Sequence, residues 1–119
     1  MTRIKKVKLT IACDSTNNTV PTTPPTVVLD GFLRAVKIKT PAAVDNTATV
    51  SVAVADSDGD SIYSKTGVAV NTTNIDTLTA ANVPISYPLA DTYTITPTFS
   101  ANQTTARNVI VTLLVESLI

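Results

Sequence analysis

Along most of the chain, apolar and polar residues alternate one for one, the period of a strand with one face buried. The clearest run is TVSVAVADSDGDSIYSKT, residues 49–66. Val50, Val52 and Val54 fall on one face, and Thr49, Ser51, Ala53 and Ala55 on the other. Asp56, Ser57, Asp58, Gly59 and Asp60 follow, with glycine where a tight reversal needs a residue tolerant of positive φ. Ile62, Tyr63 and Lys65 begin a second extended run. The stretch predicts a β-hairpin with a polar, acidic tip.

The same reading extends to both sides. Residues 3–12 set Val7, Leu9 and Ile11 against Lys6, Lys8 and Thr10. That is a strand whose lysine-bearing outer face discourages unwanted edge pairing. Residues 14–26 (DSTNNTVPTTPPT) have no period and three prolines, which predicts a loop or extended linker. In polyproline-like form such a segment spans roughly 40 Å, so the first strand can pair far from the rest of its own chain. Residues 27–39 predict a strand with Gly31 as a bulge or kink, Val28, Phe32, Val36 and Ile38 inward, and Lys37 and Lys39 outward.

Pro41 and residues 44–46 make the turn into the hairpin, and after Gly67 the extended run resumes briefly over 68–70. Residues 71–82 predict a loop, with a helical turn over 76–81 as the alternative. Pro84 and Pro88 flank Ile85 and Tyr87, a pattern suited to an edge strand. Residues 92–99 turn Tyr93, Ile95 and Phe99 inward and four threonines outward, and Pro97 places this strand near an edge as well. Residues 100–106 predict a turn. Residues 108–116 carry Val109, Val111, Leu113 and Val115 on one face and Ile110 and Leu114 on the other. A strand apolar on both faces is either central or covered by a partner.

Composition agrees with the pattern. Threonine occurs 22 times, glutamate and glutamine once each, so β-branched residues dominate and most helix formers are missing. The fold class expected is all-β: an antiparallel β-sandwich of six or seven strands, in jelly-roll or immunoglobulin-like order. The Cys–Trp–Cys pattern of true immunoglobulin domains is missing, since the chain has one cysteine and no tryptophan. At 119 residues it forms a single domain, with an extended N-terminal strand or arm (1–13), a Pro/Thr linker (14–26) and a sandwich body (27–119).

Nine basic and nine acidic residues cancel overall, which argues against a nucleic-acid or membrane partner. They are distributed unevenly. Residues 1–39 hold seven basic groups (Arg3, Lys5, Lys6, Lys8, Arg34, Lys37 and Lys39) against Asp14 and Asp30, a local +5. Residues 40–119 hold Lys65 and Arg107 against seven acidic groups, a local −5. Either the two parts neutralise each other within one monomer, or the basic part of one copy meets the acidic part of another.

Candidate chemistry is sparse. No histidine is present, which removes the commonest general base and metal ligand. The single Cys13, just after an alternating strand, reads as a small buried residue. Asp56, Asp58 and Asp60 resemble the opening of a calcium loop, but the glycine comes too early, before the third aspartate instead of after it, and no bidentate glutamate follows. A hairpin tip rich in Asp and Gly occurs for turn reasons alone, and that is the reading adopted. No phosphate-cradling glycine loop exists, with three glycines in all. An enzyme is not expected, and no catalytic, cofactor or metal residue is assigned. The start of the chain superficially suggests a lipoprotein signal, yet Lys8 interrupts an apolar run shorter than the roughly 7–15 residues that export needs. The sequons at Asn17, Asn71 and Asn102 carry little weight without export. The cell interior is the expected compartment.

Together, the lysine-bearing N-terminal strand, GFLRAVKIKTP, the TVSVAVADSDGDSIYSK hairpin and the ADTYTITPTF strand resemble the small β-sandwich structural proteins of tailed bacteriophages. Capsid decoration (cement) proteins are the nearest kind. The resemblance covers most of residues 27–116. It implies a virion protein assembled in the host cytoplasm, bound outside the shell to the major capsid protein and stabilising it as a homo-oligomer, often a trimer, some with a terminal arm reaching a neighbour. A neck, tail or fibre component is the alternative, and a cellular β-sandwich binding module, for carbohydrate for instance, is a further one.

Overall fold

The computed structural model describes residues 2–42, 44–45, 47–77 and 84–118. Among them there is no helix. Seven strands follow in order: β1 (Thr2–Cys13), β2 (Thr26–Lys39), β3 (Val50–Ala55), β4 (Ser61–Val68), β5 (Thr73–Asp76), β6 (Tyr87–Phe99) and β7 (Arg107–Leu118). They form one antiparallel sheet in the order β1-β7-β2-β6-β3-β4, with β5 added on β2. The chain is therefore all-β, and the hairpin read from residues 49–66 is the β3–β4 pair.

Two long strands turn the sheet back over a single core. The first half of β2 pairs with β6 and the second half with β7, so β2 belongs to both walls. Between Leu33 and Ala35 it carries a bulge. An extra residue reverses the in–out parity of everything beyond it. Leu29 and Leu33 therefore face the core before the bulge, and Val36 and Ile38 after it. The expectation that Val28 and Phe32 point inward fails for this reason: they are 74% and 38% exposed. Gly31 supplies the bend. It has φ +116°, and a Cβ there would collide with the carbonyl of Glu116 on β7.

The core draws on strands of both walls. Ile11 and Cys13 of β1, Val50, Val52 and Val54 of β3, Tyr93, Ile95 and Phe99 of β6, and Val109, Val111, Leu113 and Val115 of β7 are all buried in it. The two-sided apolar pattern of β7 is met by its position between β1 and β2.

The N-terminal arm is the principal correction. β1 pairs with β7 of its own chain along its whole length, from Thr2↔Leu118 to Cys13↔Arg107. The linker does not leave the body either. Beyond Thr94, β6 has lost β2 as a neighbour, and residues 14–25 take that place. Pro25 O accepts the Ile95 N–H at 3.0 Å, Thr19 O that of Phe99 at 2.8 Å, and Asn17 O that of Gln103 at 3.0 Å. Ile95, Pro97 and Phe99 present their N–H positions to the same side, and proline, lacking one, falls in the gap between the first two bonds. β6 is thus an internal strand with one irregular neighbour, where an edge was expected.

Two further readings change. The stretch 71–82, expected as a loop, contains β5, paired to β2 from Val36↔Asp76 to Lys39↔Thr73. Tyr87 and Pro88, expected on a separate edge strand, open β6. The alternative helical turn over 76–81 runs from β5 into residues outside the described ones, as does Asn46 of the turn at 44–46.

Candidate functional site

Register brings four lysines together. Lys6 and Lys8 lie opposite Leu114 and Thr112 across the β1–β7 ladder. Lys37 and Lys39 lie opposite Thr112 and Ile110 across β7–β2. Lys37 and Lys39 alternate with buried residues, and Lys6 and Lys8 with the half-buried Val7 and Leu9 that pack against the core, so all four point away from it. β1 and β2 flank β7, which sets the two lysine rows two strand spacings apart, about 10 Å. Between them Ile110, Thr112 and Leu114 form a floor, and Ile75 of β5, 59% exposed, extends it beyond Lys37. The result is a groove of about 390 Å³. Among the described residues, no carboxylate lies within ion-pair distance of any of the four lysines; the ion pairs are Arg34–Glu116, Lys65–Asp76 and Arg107–Asp45.

The face continues towards the chain ends as a mixed patch. Ile4, 57% exposed, and Phe32 flank Glu116 in one row. Arg34, the extra residue of the bulge, donates from Nε and Nη2 to Glu116 Oε1 at 2.9 and 2.5 Å and lies over the Phe32 ring at 5.4 Å.

The acidic hairpin tip is built as a turn. Asp56 Oδ1 accepts the N–H groups of Asp58 and Asp60 at 3.0 and 2.9 Å, and Gly59, at φ +86°, donates its N–H to Asp56 O. Ser57 ties the tip to β6 by donating its hydroxyl to Asp91 Oδ2 at 2.7 Å. That hydroxyl, with the N–H groups of Thr92 and Ser57, holds the Asp91 carboxyl below the usual carboxylate range. The carboxylates of Asp56, Asp58 and Asp60 lie within 4.8 Å of one another, with Asp58 and Asp60 exposed. Asp56 serves the backbone; Asp58 and Asp60 present charge to solvent.

Reactive groups elsewhere are locked into structure. Cys13 is buried, its Sγ donates to Pro97 O at 3.9 Å, and burial together with the nearby Asp14 charge pushes its thiol up to about 11. The Tyr63 hydroxyl donates to Asp76 Oδ2 at 2.6 Å, and burial pushes its titration upward. Gln103, 4% exposed, clamps the 44–45 turn: its Oε1 accepts the Asp45 N–H at 2.7 Å and its Nε2 donates to Ala101 O at 3.2 Å. A smaller hollow of about 230 Å³ beside residues 21–25 contains Asp14, whose carboxylate accepts the Thr22 N–H. None of these places a nucleophile beside an activating base in an open site.

The four lysines were visible as the outer faces of two strands. That the strands flank a common third strand was not, because parity alone does not order a sheet. Ile75 was missed, as one apolar residue in a polar stretch carries no period.

No protein-family model matches the chain, and no curated protein matches it in sequence.

Proposed function

We propose that this chain is a structural virion protein of the capsid-decoration type, a β-sandwich that binds the outer surface of a shell built from a major capsid protein and works there as a homo-oligomer. The observation that carries this reading is the lysine face. Four ammonium groups with no ion-pair partner among the described residues, set around an apolar floor on a surface four strands wide, suit an acidic protein surface, that of the shell or of a neighbouring copy, better than a small molecule. The resemblance to phage decoration proteins supplies the setting. A neck, tail or fibre location would use the same kind of face, and the test separates the two.

Shells that lack the protein are incubated with it and imaged. Saturable binding at symmetry-related positions outside the shell, with a raised shell melting temperature, is the expected result. Density confined to the neck, tail or fibres gives the alternative, and failure to bind any particle removes both.

A further inference from the structure

We infer that the lysine groove receives the acidic hairpin tip of a second copy of this chain, so that copies associate head to tail. The inference rests on reading the lysine face as a protein-docking surface, and goes on to name the occupant. Three observations converge on it.

The first is charge. The groove offers Lys6, Lys8, Lys37 and Lys39 with no intramolecular counter-charge among the described residues. The tip offers Asp58 and Asp60, exposed, on a scaffold in which Asp56 and Asp91 are already held by the turn. Since the chain has equal numbers of acidic and basic residues, copies that associate build up no net charge to oppose the contact.

The second is width. A two-stranded hairpin is about 4.8 Å between its strands, and the lysine rows stand about 10 Å apart. A tip entering along β7 comes within reach of both rows, with lysine stems lying along it and the ammonium groups at its carboxylates.

The third is placement. β3 and β4 turn Val50, Val52, Val54 and Tyr63 into the core and pair with none of the strands that carry the groove, β1, β7, β2 and β5. Among the described residues no tip carboxylate is within ion-pair distance of a lysine, so a copy does not fill its own groove.

Groove and tip are different patches, so the contact is heterologous and closes into a ring or continues as a filament. A ring of three leaves neither patch unfilled. A contact this polar and narrow belongs with transient interfaces and is strengthened when a shell holds copies side by side.

Sedimentation velocity over a concentration series tests it. The wild type should grow beyond a monomer as concentration rises at ~0.1 M salt and return to a monomer at ~1 M, where screening reaches about 3 Å. K37E/K39E and D58K/D60K alter exposed positions only and should each stay monomeric with unchanged circular dichroism. Mixed in equal amounts they should form a dimer, because each supplies the one intact partner the other lacks. Zero-length amine–carboxyl coupling of mixed light and heavy wild-type protein needs no variant. It should join a groove lysine of one copy to Asp58 or Asp60 of another. A wild type that is monomeric throughout, a reversed variant that still associates, a mixture that stays monomeric, or the absence of that cross-link overturns the inference. Shell binding by a strictly monomeric wild type overturns it while leaving the decoration role standing. Self-association without shell binding does the reverse.

Discussion

Gly31 cannot be replaced without moving β7. Its φ of +116° disfavours an L side chain, and a Cβ there meets the backbone of Glu116 and Ser117. Gly31→Ala should cost about 2–4 kcal/mol in chemical denaturation, the sum of backbone strain and a clash that no side-chain rotation relieves. A loss below about 1 kcal/mol would show that β2 bends without needing this residue. Cys13 gives a pH dependence. Burial raises its thiol from 9.0 to about 11, so the folded state keeps the proton after the unfolded chain has lost it. Its contribution is complete below pH 9 and is lost as pH rises towards 11. The denaturant midpoint should fall over that window, and less steeply in Cys13→Ala; an equal fall in both would assign it elsewhere, Tyr63 being the other buried group pushed upward. At this scale the sequence was legible wherever parity ran unbroken, as at Val50, Val52, Val54 and Tyr93. It misled at Val28 and Phe32, because one bulged residue after them is invisible in an alternating pattern.

Among the elements, β1 and residues 14–25 are as much part of the body as β7. Ile11 and Cys13 are buried, and residues 17, 19 and 25 provide the acceptors for the N–H groups of Gln103, Phe99 and Ile95, the last two on β6. Deleting residues 1–25 exposes one side of β7 and orphans those donors. The truncated chain should lose its cooperative unfolding transition, and a folded truncation would restore the detachable arm. Strands with a full apolar face were legible as elements. β5 was not: its four residues, TNID, hold one apolar side chain, and that one faces outward. What makes it a strand is the free edge of β2 beside it, a property of the assembled sheet rather than of the segment. Proline misled in a similar way: Pro97 marked an edge, but one that a loop of the same chain covers.

For the molecule as a whole, the sharing of β2 between the two walls has a thermodynamic consequence. Neither wall keeps its hydrogen-bond partners or its half of the core if the other opens. Unfolding should be a single transition, with far-ultraviolet and tyrosine signals superimposing. Two separated transitions would mean that the β1–β7 side melts independently of the β3–β4 hairpin. All-β character and the uneven distribution of charge could be read from composition and position. The groove could not, since it depends on which strands are neighbours, and strand order is settled by the long-range packing of β2 against β7.

The pairing of Thr2 with Leu118 also decides how the protein bears load. Pulling those two residues apart acts across the β1–β7 ladder and opens its hydrogen bonds one after another, like a zip. A pull directed along the strands strains many of those bonds at once. Held by its ends, the molecule should come apart at low force in a pulling experiment. Gripped through its sheet face and hairpin, it should resist a much larger one. A protein tethered to a swelling surface is therefore mechanically safer attached by its flank than by either end.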